Sequence, residues 1–324
     1  MALRLDEDVL RLSRERSDSA GLVLGHNASG RDLSFAGRFA SSRSHLEEVL
    51  ALYDPLSHSS LVGQSGLRPH VITPPHTLGI VLFCLGYPDQ ALTWSNAAIA
   101  EARRLAHLPS LADSLSTGTR LLSLFGNDAV FGERVDQLVA LAAEQGFPQW
   151  NAFGTIYRGW LKAKNGDVVE GISLLRIGSS AYRATGAELW VPYHNALLAR
   201  ACEIAGQAEE GLALLDDALQ IAERTGARWF AAELNRHKGQ LLLRQGQTEA
   251  AEELYREALS VAREQEAKLW ELRAAASLAR LRRDQGRHAE ARDLLAPVYG
   301  WFTEGFDTLD LREAKVLLDE LGGA

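Results

Sequence analysis

Little in this sequence is equipped to react. Two cysteines in 324 residues, Cys84 and Cys202, lie far apart with no CxxC spacing, which excludes a disulfide framework and a thiolate metal site. Each sits among apolar residues at helical spacing, where a reduced, buried thiol is expected. No GxSxG elbow occurs, and neither cysteine has a helix start or a placed histidine to activate it. There is no GxxxxGK[ST] loop. Gly21, Gly25 and Gly30 form a glycine-rich stretch, but no lysine follows and a helical pattern runs through it. His58, His70 and His76, with Asp54 nearby, match no HxxxH or Cys/His metal spacing and read as solvated loop histidines. No metal, cofactor or catalytic residue is nominated. Long apolar runs are also missing: the longest, around residues 78–85, is too short to span a bilayer. The opening MALRLDEDVLRLSRERS carries acids and no apolar core, so no secretory signal is expected and a cytoplasmic location is. Net charge is -8, which does not draw the chain as a whole to nucleic acid or anionic lipid. Alternation of the strand type is absent throughout.

What is present is a period. Gly86, Gly126, Gly166, Gly206, Gly246 and Gly286 follow one another at 40 residues. Seven residues before each stand Gly79, Thr119, Gly159, Ala199, Gly239 and Ala279; five after stand Ala91, Phe131, Gly171, Gly211, Ala251 and Ala291. Twelve after come Ala98, Leu138, Gly178, Ala218, Ala258 and Val298. A glycine that ends a helix in the left-handed region, with mostly small residues where two helices meet, specifies a helical hairpin. Apolar stripes such as Ile172, Leu174 and Leu175 run at helical spacing between them. The pattern resembles the tetratricopeptide repeat with about six extra residues per unit. Trp150, Trp190, Phe230 and Trp270, also 40 apart, predict that the first helix of each pair is the long one and opens on a ring plugging the gap to the previous unit, or forming an aromatic ligand cage.

The expected architecture is all-α: a right-handed, tetratricopeptide-like α-solenoid of about seven helix–turn–helix units in a single domain, 1–324. We expect a lone helix at 1–16 and a first repeat at 17–53, around Gly37. An irregular insertion at 54–75, rich in Ser, His, Gly and Pro, separates it from six repeats over 76–305. A capping helix at 306–324 closes the stack, with Asp307 or Thr308 as its N-cap. The missing partner of the first helix makes the N-terminal end a candidate for self-association.

Four segments carry a more specific resemblance: HLEEVLALYDPLSHSSL (45–61), LGYPDQA (85–91), AEEGLALLDDAL (208–219) and residues 270–321, beginning WELRAAASLARLRRDQGRHAEARDLLAPVYG. They resemble the C-terminal repeats of bacterial regulators that join a class III adenylate/guanylate cyclase domain, an AAA-type NTPase and tetratricopeptide repeats. The resemblance implies a sensing or partner-binding arm whose chemistry belongs to domains not in this chain, so no catalytic residue carries over.

In such a stack the first helices line the concave face, and their outward positions follow from the glycine anchors. They include Arg31, Arg120, Lys164, Arg200, Arg236, Arg244, Arg273, Arg280 and Arg283, against the acids Asp113, Glu203, Glu233 and Asp284. His76, Trp160, Tyr193 and Gln240 share these offsets. Guanidinium forks grip carboxylates and phosphates, so the groove is expected to take a protein or peptide with acidic groups, or an anionic small molecule. Local pairing, Arg200 with Glu203 or Arg280 with Asp284, is the competing use of the same residues. A small-molecule sensor, with the insertion 54–75 and the aromatics Trp160 and Tyr193 shaping a pocket, is the alternative reading; a nucleic-acid binder or an enzyme is the remote one.

Overall fold

The computed structural model describes residues 2–53, 76–126 and 128–323; the expected insertion at 54–75, with His58 and His70, lies outside the described residues. Among the described residues there are sixteen α-helices and no strand. A single helix α1 (Ala2–Glu15) precedes the pairs α2 (Ser19–Phe35)/α3 (Phe39–Leu52) and α4 (His76–Leu85)/α5 (Pro88–Arg104). Then follow α6 (Leu108–Phe125)/α7 (Asp128–Glu144), α8 (Pro148–Lys164)/α9 (Val168–Arg183) and α10 (Val191–Ile204)/α11 (Ala208–Thr225). The last pairs are α12 (Ala231–Arg244)/α13 (Thr248–Glu264) and α14 (Lys268–Asp284)/α15 (His288–Tyr299), before a final α16 (Leu309–Gly322). Thr308, not Asp307, caps α16, its hydroxyl accepting from Leu311 N. The molecule is a tetratricopeptide-like solenoid.

All six anchor glycines take positive φ, from 74° at Gly206 to 98° at Gly166, and each sits at the turn inside a helical pair. A second series lies midway between them: Ala106, Gly146, Gly186, Gly226 and Glu266 also have positive φ. From α4 to α14 every helix, not only every pair, therefore stops on a left-handed residue 20 positions after the last. The second series is hidden in the sequence because two of its five members are not glycine.

The small residues lie where the helices touch. The nearest approach is in the α8/α9 hairpin, where a Cβ on Gly171 would fall 2.6 Å from Ala163 N and 2.7 Å from Gly159 O. The glycine-rich stretch near the N-terminus serves the same end: a Cβ on Gly25 would sit 2.7 Å from the Leu10 side chain, so α1 lies tight against α2. The extra length expected in the first helices is shared instead. In the α10/α11 and α12/α13 pairs the second helix is the longer, 18 residues against 14 and 17 against 14. Trp190 and Phe230 are the residues just before α10 and α12, whereas Trp150 and Trp270 lie inside α8 and α14.

The solenoid closes on itself. Phe35 at the end of α2 packs edge-on against Trp190 at 4.9 Å, and its carbonyl accepts from Trp229 N at 3.0 Å. Phe83 on α4 meets Trp270 on α14 at 5.6 Å. Farther along, Glu304 accepts hydrogen bonds from the backbone N–H groups of Asp89 and Gln90 at the start of α5. The rings of Trp190, Trp229, Tyr193, Phe230 and Trp270 stand in successive contact along the inside of this turn, each pair 5.2 to 5.6 Å apart. The 40-residue aromatics thus join the first units to the later ones as well as plugging adjacent units.

Candidate functional site

An open trough, expected on the concave side, is replaced by two separate cavities because the N-terminal helices fold across it. Both are lined by the first helices of the pairs, where the sequence projection placed its candidates. Arg31, His76 and Arg120 line the larger cavity, about 800 Å³. Lys164, Tyr193, Arg200, Arg236, Arg273 and Arg280 line the other, about 390 Å³. Gln240, Arg244 and Arg283 line neither, and Trp160 is a fully buried core ring.

The smaller cavity is an ionic box. Glu233, 1% exposed, is held by the Arg236 fork at 2.5 and 2.9 Å and by Arg273 at 3.1 Å. Arg273 also clamps Asp310 of α16 with two bonds of 2.8 Å and donates to the Leu124 carbonyl of α6 at 2.5 Å. One guanidinium thus ties together α6, α12, α14 and α16. Burial alone would raise the Glu233 carboxyl, but the Arg236 and Arg273 charges outweigh it and hold it well below the usual carboxylate range. Lys164 pairs with Asp128, and Arg280 with Glu313 at 2.8 Å. Tyr193 is bonded to Ser123 and buried, and burial pushes its phenol up.

Arg200 differs from its neighbours. No carboxylate lies within ion-pair distance of it among the described residues; its guanidinium instead sits over the Trp160 ring, 4.4 Å from the centroid. Burial and the charges of Arg236 and Arg273 depress its pKa to about 10. Neither local pairing expected for it or for Arg280 forms. Glu203 is taken by Arg244 at 2.8 Å and Gln240 at 2.9 Å, while Asp284 is taken by Arg283, which also reaches Glu320. Arg31 pairs with Asp32 at 3.2 Å.

Besides the projected Glu203, Glu233 and Asp284, four acids that answer these bases, Asp128, Asp310, Glu313 and Glu320, come from positions outside the projection, and the expected basic excess shrinks accordingly. The signal that would have found them is opposite charge about one period apart: Arg273 with Glu233 and Asp310, Arg244 with Glu203, Lys164 with Asp128. His194 and His237 are buried, at 1% and 5% exposure. Burial first, then nearby arginines, pushes both imidazoles well below their ordinary pKa. Both cysteines are free and buried, and burial raises both thiols, Cys202 to about 11. Among the described residues, no group of three or more His, Cys, Asp or Glu side chains is placed to hold a metal ion, and no helix is long and apolar enough to cross a membrane.

Residues 192–264 and 230–296 match the model of the tetratricopeptide repeat. An uncharacterized protein of Rhizobium meliloti is 25% identical over 244 residues, a match covering 74% of this chain and 23% of that protein. The chain thus spans less than a quarter of the length of that curated relative. Among solved structures, a Rap protein complexed with competence and sporulation factor is similar at a TM-score of 0.49 and 11% identity, over 94% of this chain and 97% of its own. BtubC from P. vanneervenii is similar at 0.47 and 16% identity, over 73% and 92%. Yeast Tom70 is similar at 0.36 and 12%, over 99% and 85%.

Proposed function

We propose that this repeat scaffold binds a protein or peptide, through an acidic group that enters the smaller cavity and docks on Arg200. The observation that carries the reading is the contrast inside that box. Arg236, Arg273, Arg280 and Lys164 each hold a carboxylate of the chain itself, and Arg200 holds none. A guanidinium whose charge is disfavoured by its surroundings gains most from an incoming anion. The match to a much longer relative fits a recognition arm within a larger regulator, of the kind in which a cyclase domain and an NTPase supply the chemistry.

The test is fluorescence polarisation with labelled peptides carrying two adjacent acidic residues, each compared with its Gln/Asn counterpart. Arg200→Gln is expected to weaken the tightest acidic peptide at least tenfold, about 1.4 kcal/mol, while circular dichroism stays unchanged. Equal affinity of wild type and Arg200→Gln retires the reading. Arg236→Ala is a poor test, because it leaves Glu233 buried with one partner fewer and confounds binding with stability.

A further inference from the structure

We infer that the larger cavity is a second, independent site, built for a small organic acid with a flat apolar body whose carboxylate is taken by Arg120. Arg120 lies mid-way along α6, is 2% exposed and has no carboxylate partner among the described residues, which is rare for a buried arginine. Its guanidinium stacks on Trp190, 3.5 Å from the ring centroid, with Phe153 on another side at 5.6 Å. Its Nε has no hydrogen-bond partner, and the side chain lines the cavity. Both acids that line the cavity are engaged elsewhere: Asp32 pairs with Arg31 at 3.2 Å, and Asp113 accepts from Trp150 Nε1 at 3.4 Å and lies 3.6 Å from His76 Nε2. A guanidinium buried without a counter-charge is costly to the fold unless an anion reaches it, and the stacking rings hold its plane in one orientation.

The remaining walls define the rest of the ligand. Phe35, Ile80, Phe153 and Trp229 present apolar surface, and about 800 Å³ lies within the range of small-molecule pockets. Polar side chains share the lining, among them Asn27, Thr117 and Gln149, and its other charged groups are the pair Arg31–Asp32 and Asp113 beside His76. With Arg31 already paired to Asp32, Arg120 is left to take one negative charge on a hydrophobic body, not a polyanion. The site lies on different walls from the Arg200 box, so either one can fail without the other.

The probes are indole-3-acetate and decanoate, each set against its uncharged amide, with binding read by titration calorimetry on the full chain. The acids are expected to bind and the amides to bind at least tenfold more weakly. Arg120→Met keeps the apolar volume and removes the charge, and is expected to bring acid binding down to the amide level. Ile80→Trp, which fills the chamber and leaves Arg120 in place, is expected to abolish binding of both. The inference is overturned by equal affinity for acid and amide, by unchanged acid binding in Arg120→Met, or by no binding of either acid to the wild-type protein. Should Arg120→Met fail to fold, the wild-type acid–amide comparison and Ile80→Trp decide.

Discussion

His194 is a pH liability at the scale of the residue. It is buried among Phe153, Tyr182 and Tyr193, with hydrogen-bond partners on neither ring nitrogen, and Arg120 and Arg183 oppose its protonation. His237 is likewise depressed by burial and by Arg236. For a histidine lowered in the folded state, the unfolded chain binds the proton first. Stability is therefore whole above the unfolded value of about 6.5 and falls below it, by about 1.4 kcal/mol per pH unit for each fully buried ring. Glu233 adds to this lower down: its depressed carboxyl stabilises above the unfolded value of about 4.3, and that share is lost as pH falls toward its folded pKa. Urea unfolding is expected to show lower stability at pH 5.5 than at 7.5, with His194→Phe removing part of the slope; a flat profile, or the same slope in His194→Phe, contradicts it. The complete burial of His194 was not legible in the sequence, because it depends on Phe153, a full repeat away.

At the scale of the element, the hairpin is set by close approach. Gly159 and Gly171 face one another across α8 and α9, and a methyl at Gly171 would meet backbone, which cannot swing aside. Gly171→Ala is expected to cost about 1–3 kcal/mol by denaturant unfolding, as overpacking does in a tight core. Gly211→Ala, whose methyl would meet the mobile end of Leu241 at 2.9 Å and a carbonyl only at 3.2 Å, should cost less. Equal losses at the two sites would show that the approach at Gly171 is not special. This scale was the most legible, since glycine anchors and small residues at fixed offsets record backbone contacts inside one hairpin. The half-period stops at Ala106 and Glu266 escaped because a left-handed turn there is imposed by neighbouring helices on residues that do not prefer it.

For the molecule as a whole, closure is the decisive feature. An open stack of repeats melts as a sum of nearest-neighbour steps. Here Glu304 holds the start of α5, Arg273 holds the end of α6, and Phe35 holds Trp229, so distant units share contacts. A single cooperative transition is expected. Glu304→Ala should raise amide exchange at Asp89 and Gln90 while residues 192–264 remain protected; unchanged exchange at the seam would mean that closure rests on apolar contacts alone. From its own order, the chain determined the helices, their turns and the faces that pair within each hairpin, because those depend on residues no more than one unit apart. Only the tertiary structure decided that the concave side becomes two cavities, that Glu233 and Asp310 consume Arg236 and Arg273, and that Arg120 and Arg200 are left without acids among the described residues. Those outcomes follow from the small rotation between successive units, accumulated until the first helices meet the last, and no local pattern encodes that sum.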